Sequence, residues 1–323
     1  MEAVAQYVGV DVGGERLEVG VWPSDEHLSF ANDPDGIARL LQRMVELAPA
    51  AVVMEATGGL EVLLASELVA AGWLVAVANP RQVREFARSL GNLGKTDRKD
   101  ARTLAQYAQA AHSNRRLVAW RLPEQAQLEL KALLTRRRQL LQMLVAESNR
   151  RLRAPKVIRA SVVQSIRRLK RSVAAIDAQL RDKLAESPAQ QAKATLLEAV
   201  PGVGPQLTLT LIAELPELGR LSRREIASLA GLAPHPFESG QFKGRRTIWG
   251  GRAQVRSMLY MAALSAVRFN PLLRASYQAM LARGKAKQLA LVACMRKLLV
   301  ILNAMLRDSA PWNPDHLDFQ HSR

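Results

Sequence analysis

Two short apolar runs in the first 60 residues end in the same way, and they constrain the fold more than any other feature. Tyr7-Val-Gly-Val-Asp11-Val-Gly-Gly and Ala51-Val-Val-Met-Glu55-Ala-Thr-Gly-Gly59 each reach an acid and are then cut off by a glycine pair. Short Val-rich runs bounded by Gly-Gly read as buried strands rather than helices. The first run turns into Arg16-Leu-Glu-Val-Gly-Val-Trp22, so residues 6–12 and 16–22 predict two strands around a Gly-Gly turn. Further strands are expected near 51–54 and 74–78 and helices near 35–47 and 60–71, which together make a mixed α/β layer.

The stretch Lys95-Thr-Asp-Arg-Lys-Asp-Ala-Arg-Thr-Leu-Ala105 supplies two more acids. Thr96 fits an N-cap, and Ala101, Leu104, Ala105 and Ala108 follow with helical spacing. Asp97 and Asp100 then stand one turn apart on one face of a helix N-terminus. By themselves they also fit a capped helix start with a mixed-charge surface. Together with Asp11 and Glu55 at strand ends, they favour a four-carboxylate cluster. An all-oxygen donor set suits Mg²⁺ or Mn²⁺, and two such ions about 3.5–4 Å apart clamp an in-line phosphoryl displacement.

Charge is divided unevenly along the chain. Residues 1–100 hold 15 acids and nine bases, so against a total of +17 the remainder carries +23. An acidic first part repels nucleic acid unless cations stand at its centre, whereas the basic remainder suits a polyanion. The single cysteine, Cys294, excludes an intrachain disulfide framework and fits the cytoplasm. The five histidines lack ligand spacing, so no zinc site is expected. No signal-peptide pattern opens the chain. The apolar run Leu289–Leu306 is interrupted by Arg296, Lys297 and Asn303, so no membrane anchor is expected either.

From about residue 122 the character changes. Residues 131–171 contain thirteen Lys/Arg, among them Arg136, Arg137, Arg150 and Arg151, against one acid, Glu147. Leu130, Leu134, Leu141 and Leu144 mark one apolar stripe. After Ala154-Pro155 a second runs Val162, Ile166, Leu169, Val173, Ile176, Leu180, a heptad seam. These predict a helical hairpin or coiled coil that also pairs chains, with its unbalanced bases facing nucleic acid. Leu196–Ile212, with Pro201-Gly-Val-Gly-Pro205 at its centre, resembles a helix-hairpin-helix module, in which Gly202 and Gly204 let backbone amides approach a phosphate. Ser222-Arg-Arg-Glu225 reads as a capping box. The irregular stretch 233–252 then carries Lys243, Arg245, Arg246 and Arg252, with no acid after Glu238. Helices are expected near 252–267, 271–283 and 286–306, followed by a loose tail.

Asp11, Glu55, Asp97 and Asp100, in this order and context, resemble the D-E-D-D set of RuvC-like, ribonuclease-H-fold nucleases. The wording GVDVGGERLEVGV, VVMEATGG and NPRQVREFARSLGNLGKTDRKDARTLA is similar to the DEDD transposases of insertion sequences, the IS-one-ten or Piv/MooV-like family. AGLAPHPFESGQFKGRRTIWGGRAQVRSMLYMAALSAV resembles the C-terminal domain of the same family, whose serine-glycine motif Ser239-Gly240 matches. This chain departs from the family pattern at Trp249-Gly-Gly-Arg252, where a Lys/Arg-Gly-Asn type stretch is more usual.

The resemblance implies a RuvC-like catalytic domain over 1–120, a basic coiled-coil connector over 121–190, a mainly α C-terminal domain with the helix-hairpin-helix over 191–310, and a tail over 311–323. It implies a transposase or site-specific recombinase in which Ser239 attacks a DNA phosphodiester to form a phosphoserine. Its cofactor would be Mg²⁺ or Mn²⁺ on Asp11, Glu55, Asp97 and Asp100. Its partners would be donor and target DNA, a structured bridge RNA, and a homodimer or homotetramer in which the acids and the serine meet between protomers. A junction endonuclease would use the same acids with water and would not need Ser239. A sugar kinase or actin-like ATPase would share the opening hairpin but require further phosphate-binding loops. A non-catalytic nucleic-acid-binding protein would not need four acids at one site.

Overall fold

The computed structural model describes residues 4–313, except 93, 95, 122, 123, 236, 237, 240, 241 and 244–246; at 235, 238, 239, 242 and 243 it describes the backbone alone. The chain divides into two compact units, Met1–Pro123 and Glu124–Arg323.

In the first unit, β1 (Tyr7–Val12), β2 (Arg16–Trp22) and β3 (His27–Ala31) form an antiparallel meander. After α1 (Pro34–Leu47), the strands β4 (Ala51–Glu55) and β5 (Val75–Ala78), separated by α2 (Glu61–Ala70), extend the sheet in parallel. Then come α3 (Pro80–Ser89) and α4 (Asp97–Ser113). The strand order is β3-β2-β1-β4-β5, three antiparallel strands continued by two parallel ones, consistent with a RuvC-like fold. Alternation along the strands sends Val8, Val10, Val52 and Met54 to one face, where Ile37, Leu40 and Met44 of α1 and Leu64 and Leu68 of α2 cover them. Tyr7, Ala51, Val53 and Ala76 face the other way, under Val83 of α3 and Leu104 and Ala108 of α4. The strand β3 lies outside the sequence expectation. It is an edge strand with every residue at least partly exposed, so it carries no apolar alternation to read.

The second unit is mostly helical. The long helices α5 (Gln125–Arg153) and α6 (Lys156–Ala185) pack along one another. Of the predicted seam, Val162, Ile166 and Leu180 are buried and Leu169, Val173 and Ile176 half-buried. At the base, Leu130, Leu134 and Leu180 share a core with Leu209 and Ala213 of α8 (Pro205–Glu214), which follows α7 (Pro188–Glu198). Next come α9 (Arg223–Leu229), opened by the expected Ser222/Glu225 capping box, and four two-residue strands: β6 (Pro234–His235), β7 (Glu238–Ser239), β8 (Phe242–Lys243) and β9 (Thr247–Ile248). The strand β6 pairs with β9, and β7 with β8 between them. The helices α10 (Ala253–Phe269), α11 (Pro271–Ala282) and α12 (Lys287–Asp308) complete the unit.

Among the described residues α12 alone is long and apolar enough to cross a membrane, but 61% of its apolar window is buried within the protein. Leu291, Leu298, Leu299 and Leu302 belong to the core of this unit. Its polar interruptions are bonded: Asn303 accepts from the Gly219 amide at 2.8 Å and donates to the Leu221 carbonyl at 2.9 Å, and Lys297 donates to Ser276 Oγ at 2.6 Å.

Candidate metal centre and nucleic-acid interface

The acids on β1 and α4 meet because two glycines let a helix lie directly on the sheet. Gly9 and Gly20 are cross-strand partners. A Cβ on Gly9 would collide with the Ala105 amide and the Ala101 carbonyl, and one on Gly20 would stand 2.7 Å from the Ala101 carbonyl carbon and the Arg102 nitrogen. The α4 backbone therefore touches the strand backbones with no side chain between. From that seat Asp11 lies two residues on along β1, about 7 Å. Asp97 lies four residues back from Ala101 along α4, about 6 Å. The two displacements bring the acids to one level. Oxygens of Asp11, Asp97 and Asp100 lie within 4.8 Å of one another, with Asp97 exposed and the other two half-buried. Thr96 caps α4 as expected, its hydroxyl accepting from the Lys99 amide at 3.3 Å.

Glu55 is not part of that close trio. It follows the parallel pair Val10↔Met54 and is therefore the residue level with Asp11, on the same face of the sheet by strand alternation. The loop behind it is tied down at both ends: the Ala56 amide donates to the Ala78 carbonyl at 3.1 Å, and Glu61 gathers the Thr57–Gly59 turn. That internal carboxylate takes the Thr57 and Gly59 amides, which the phosphate loop of a kinase or ATPase would offer to its ligand.

A further acid, outside the predicted set, shares the face of Asp11. Glu18 is the antiparallel partner of Asp11, so its side chain shares that face. Its carboxylate accepts from Ser29 Oγ at 2.6 Å and from Arg16 Nε at 3.4 Å, and His27 Nε2 stands 3.0 Å away.

In the second unit the expected nucleic-acid residues fare differently. The Ser239 backbone lies in β7, paired with Phe242, while its side chain and that of Lys243, together with Gly240, Arg245 and Arg246, lie outside the described residues. Gly204 caps α8 in the open, with nothing within 4 Å of where a Cβ would stand. Gly202 has φ +97°, and a Cβ there would meet Ala266 of α10 at 2.6 Å. The missing side chain thus lets the hairpin lie close against α10. Arg136, Arg150 and Arg151 are exposed, Arg150 beside Glu147. Arg137 is half-buried and bonded to Asp177 at 2.6 Å.

Arg252 has partners within the protein that its sequence context did not show. Its guanidinium grips both Glu217 oxygens at 2.5 and 2.7 Å and the Glu214 carbonyl at 2.9 Å, so three of its five donors are engaged within the protein. Next to it Gly251, at φ +62°, packs onto Gly231, where a Cβ would meet the backbone nitrogen at 2.2 Å. The departure at 249–252 thus fits a local packing need. Burial pushes the Glu217 carboxyl up, but the hydrogen bonds and charge of Arg252 outweigh it and hold it below the ordinary carboxylate range. The pair's contribution is present above the carboxyl's unfolded pKa and is lost as pH falls through the lower folded value. Arg252→Ala should therefore cost about 1–2 kcal/mol at pH 7, since the pair is only partly screened from water, and less below about pH 4. Urea denaturation at both pH values checks this.

Two family models match the chain: one for transposases of the DEDD IS110 type, described as Transposase, over residues 8–154, and the Transposase IS116/IS110/IS902 family over 194–278. The chain belongs to this transposase family. The first match includes all four predicted acids and the second includes Ser239. Its relatives include the pilin gene-inverting proteins of Moraxella lacunata and Moraxella bovis, each 27% identical over 95% of this chain and 97% of the relative. Another is the insertion element IS110 uncharacterized 43.6 kDa protein of Streptomyces coelicolor, 28% identical over 47% of this chain and 37% of its own. A member of this family is an enzyme of DNA transposition or recombination, and the family's acid set implies a divalent cation.

Proposed function

We infer that this chain is the recombinase of an insertion element, cutting and rejoining DNA through a phosphoserine on Ser239, with donor and target chosen by a structured bridge RNA. The observation that carries the reading is the convergence of Asp11, Asp97 and Asp100 from a strand end and a helix N-terminus, within 4.8 Å. Three carboxylates so close repel one another unless cations or protons are shared among them, and their hard oxygen donors fit Mg²⁺ or Mn²⁺. Glu55, level with Asp11, is the fourth holder. A cation bound there lowers the pKa of an attacking hydroxyl and offsets charge on the phosphorus.

The remaining steps use the chain's own groups. The Ser239 Oγ–phosphorus bond forms as one phosphorus–oxygen bond to deoxyribose breaks. The hydroxyl proton leaves to solvent and the departing sugar oxygen is protonated. Attack by a deoxyribose hydroxyl of a second strand on the phosphoserine reverses these bonds, so strand exchange conserves the phosphodiester. The exposed Arg136, Arg150 and Arg151, together with Lys243, Arg245 and Arg246, contact phosphates, and Gly204 at the α8 N-terminus admits a backbone phosphate. Guide pairing supplies sequence choice that no compact base-reading motif in this chain provides. The working form is a dimer or tetramer, although the α6 seam itself packs against α5 within one chain. Full-length similarity to pilin gene-inverting proteins supports site-specific exchange as the reaction type.

The test is label transfer from DNA to protein that survives denaturation and is lost on proteolysis. Ser239→Ala should keep fold, metal binding and RNA binding yet give no adduct and no recombination, and Asp11→Ala should lose both adduct and recombination. Cutting that persists in Ser239→Ala, with no adduct in the wild type, would instead indicate an endonuclease using water.

A further inference from the structure

Glu61 is the first residue of α2 and is only 8% exposed. One of its carboxylate oxygens, Oε2, accepts three hydrogen bonds: from the Thr57 amide at 3.1 Å, the Thr57 hydroxyl at 2.8 Å and the Gly59 amide at 2.8 Å. All three donors belong to the turn that immediately follows Glu55. Gly58 and Gly59 take φ +84° and +127°, a backbone that ordinary residues rarely adopt, although the space beside both is open. What that shape provides is convergence of amides on the carboxylate. The turn is thus built around one charge, and the other end of the loop is fixed by the Ala56–Ala78 hydrogen bond.

We propose that Glu61 is a positioning residue for the acidic centre: its buried carboxylate holds the Thr57–Gly59 turn, and through it keeps Glu55 at the very end of β4, where the strand register sets it level with Asp11. This rests on the reading of Glu55 as a metal holder. Partners outside the ligand shell commonly change metal affinity by about 10–100-fold when they are removed. Glu61→Gln keeps the volume and one acceptor oxygen but removes the charge, so the three donors converge on a neutral carbonyl that accepts them less strongly.

The test uses the full chain and Mn²⁺ alone, titrated by the electron paramagnetic resonance of the free ion, with amide hydrogen exchange at Thr57 and Gly59. Glu61→Gln is expected to bind Mn²⁺ about tenfold more weakly. Its Thr57 and Gly59 amides should exchange faster while β4 amides and melting stay as in the wild type, and excess Mn²⁺ should restore DNA cutting, which it would not do for a misfolded enzyme. Thr57→Val removes one of the three bonds and should shift Mn²⁺ affinity in the same direction by a smaller factor, so it decides the matter if Glu61→Gln does not fold. Wild-type Mn²⁺ affinity in a folded Glu61→Gln, or in Thr57→Val should Glu61→Gln not fold, overturns the proposal. Glu55→Gln is the reference. If it weakens Mn²⁺ binding while the Glu61 and Thr57 variants do not, the positioning role alone falls. If it binds as the wild type does, Glu55 holds no metal and the role of Glu61 falls with it.

Discussion

Gly9→Ala should lose about 3 kcal/mol of stability, near the upper end for overpacking, because the added methyl meets backbone and no rotamer change can relieve the collision. The Ala105 amide and Ala101 carbonyl occupy the space, and both belong to the helix that carries Asp97 and Asp100. The same variant should therefore weaken Mn²⁺ binding even where it remains folded, since lifting α4 separates those acids from Asp11. Gly14→Ala, three residues beyond Asp11 on the opening turn, has nothing within 4 Å of the new methyl and should be near neutral. Paired urea melts and Mn²⁺ titrations on the two variants check this. Equal losses would mean that α4 is not seated on the glycine pair.

Leu180→Asp should cost about 3–5 kcal/mol, because it places an unpaired carboxylate where a fully buried side chain stood. The site lies among Leu130, Leu134, Leu209 and Ala213, so the loss should appear as reduced helicity and an earlier melt of the helical unit. Val157→Asp, at a residue 88% exposed on the same helix, should change either by less than about 0.5 kcal/mol. Circular dichroism during thermal melting separates the two.

How much of this was legible beforehand differs by residue, for physical reasons. The strands β1, β2, β4 and β5 announced themselves because buried strands concentrate Val between glycines, and Thr96 marked the α4 start by capping chemistry. The Gly9–Gly20 seat was also within reach. Closing the hairpin with Gly14-Glu15 at its tip sets Gly9 against Gly20 and Asp11 against Glu18, and glycines within strands signal a close backbone approach. Glu61 was not, because an acid in a first helical turn is ordinary. The heptad seam gave the buried face of α6 but not its partner, since the same periodicity serves a neighbouring helix of one chain or of another. Gly202 came forward through the hairpin motif and Arg252 through its place in a basic stretch, and neither signal carried the packing against Ala266 or the bonding to Glu217. Ser239 had no periodic or steric signature. It came forward through family resemblance and not through spacing or burial.

The paired helices α5 and α6 also have a mechanical consequence. A helix of 29 residues is about 44 Å long. Rotating such an arm by one degree about its base moves its far end by about 0.8 Å, so a tilt of 5° carries the Ala154–Pro155 turn about 4 Å, more than a phosphate contact tolerates. Leu130, Leu134 and Leu180, gripping Leu209 at the other end, are therefore the fulcrum. A methylene lost there would be felt as an aiming error some forty ångströms away, among arginines that the substitution never touches.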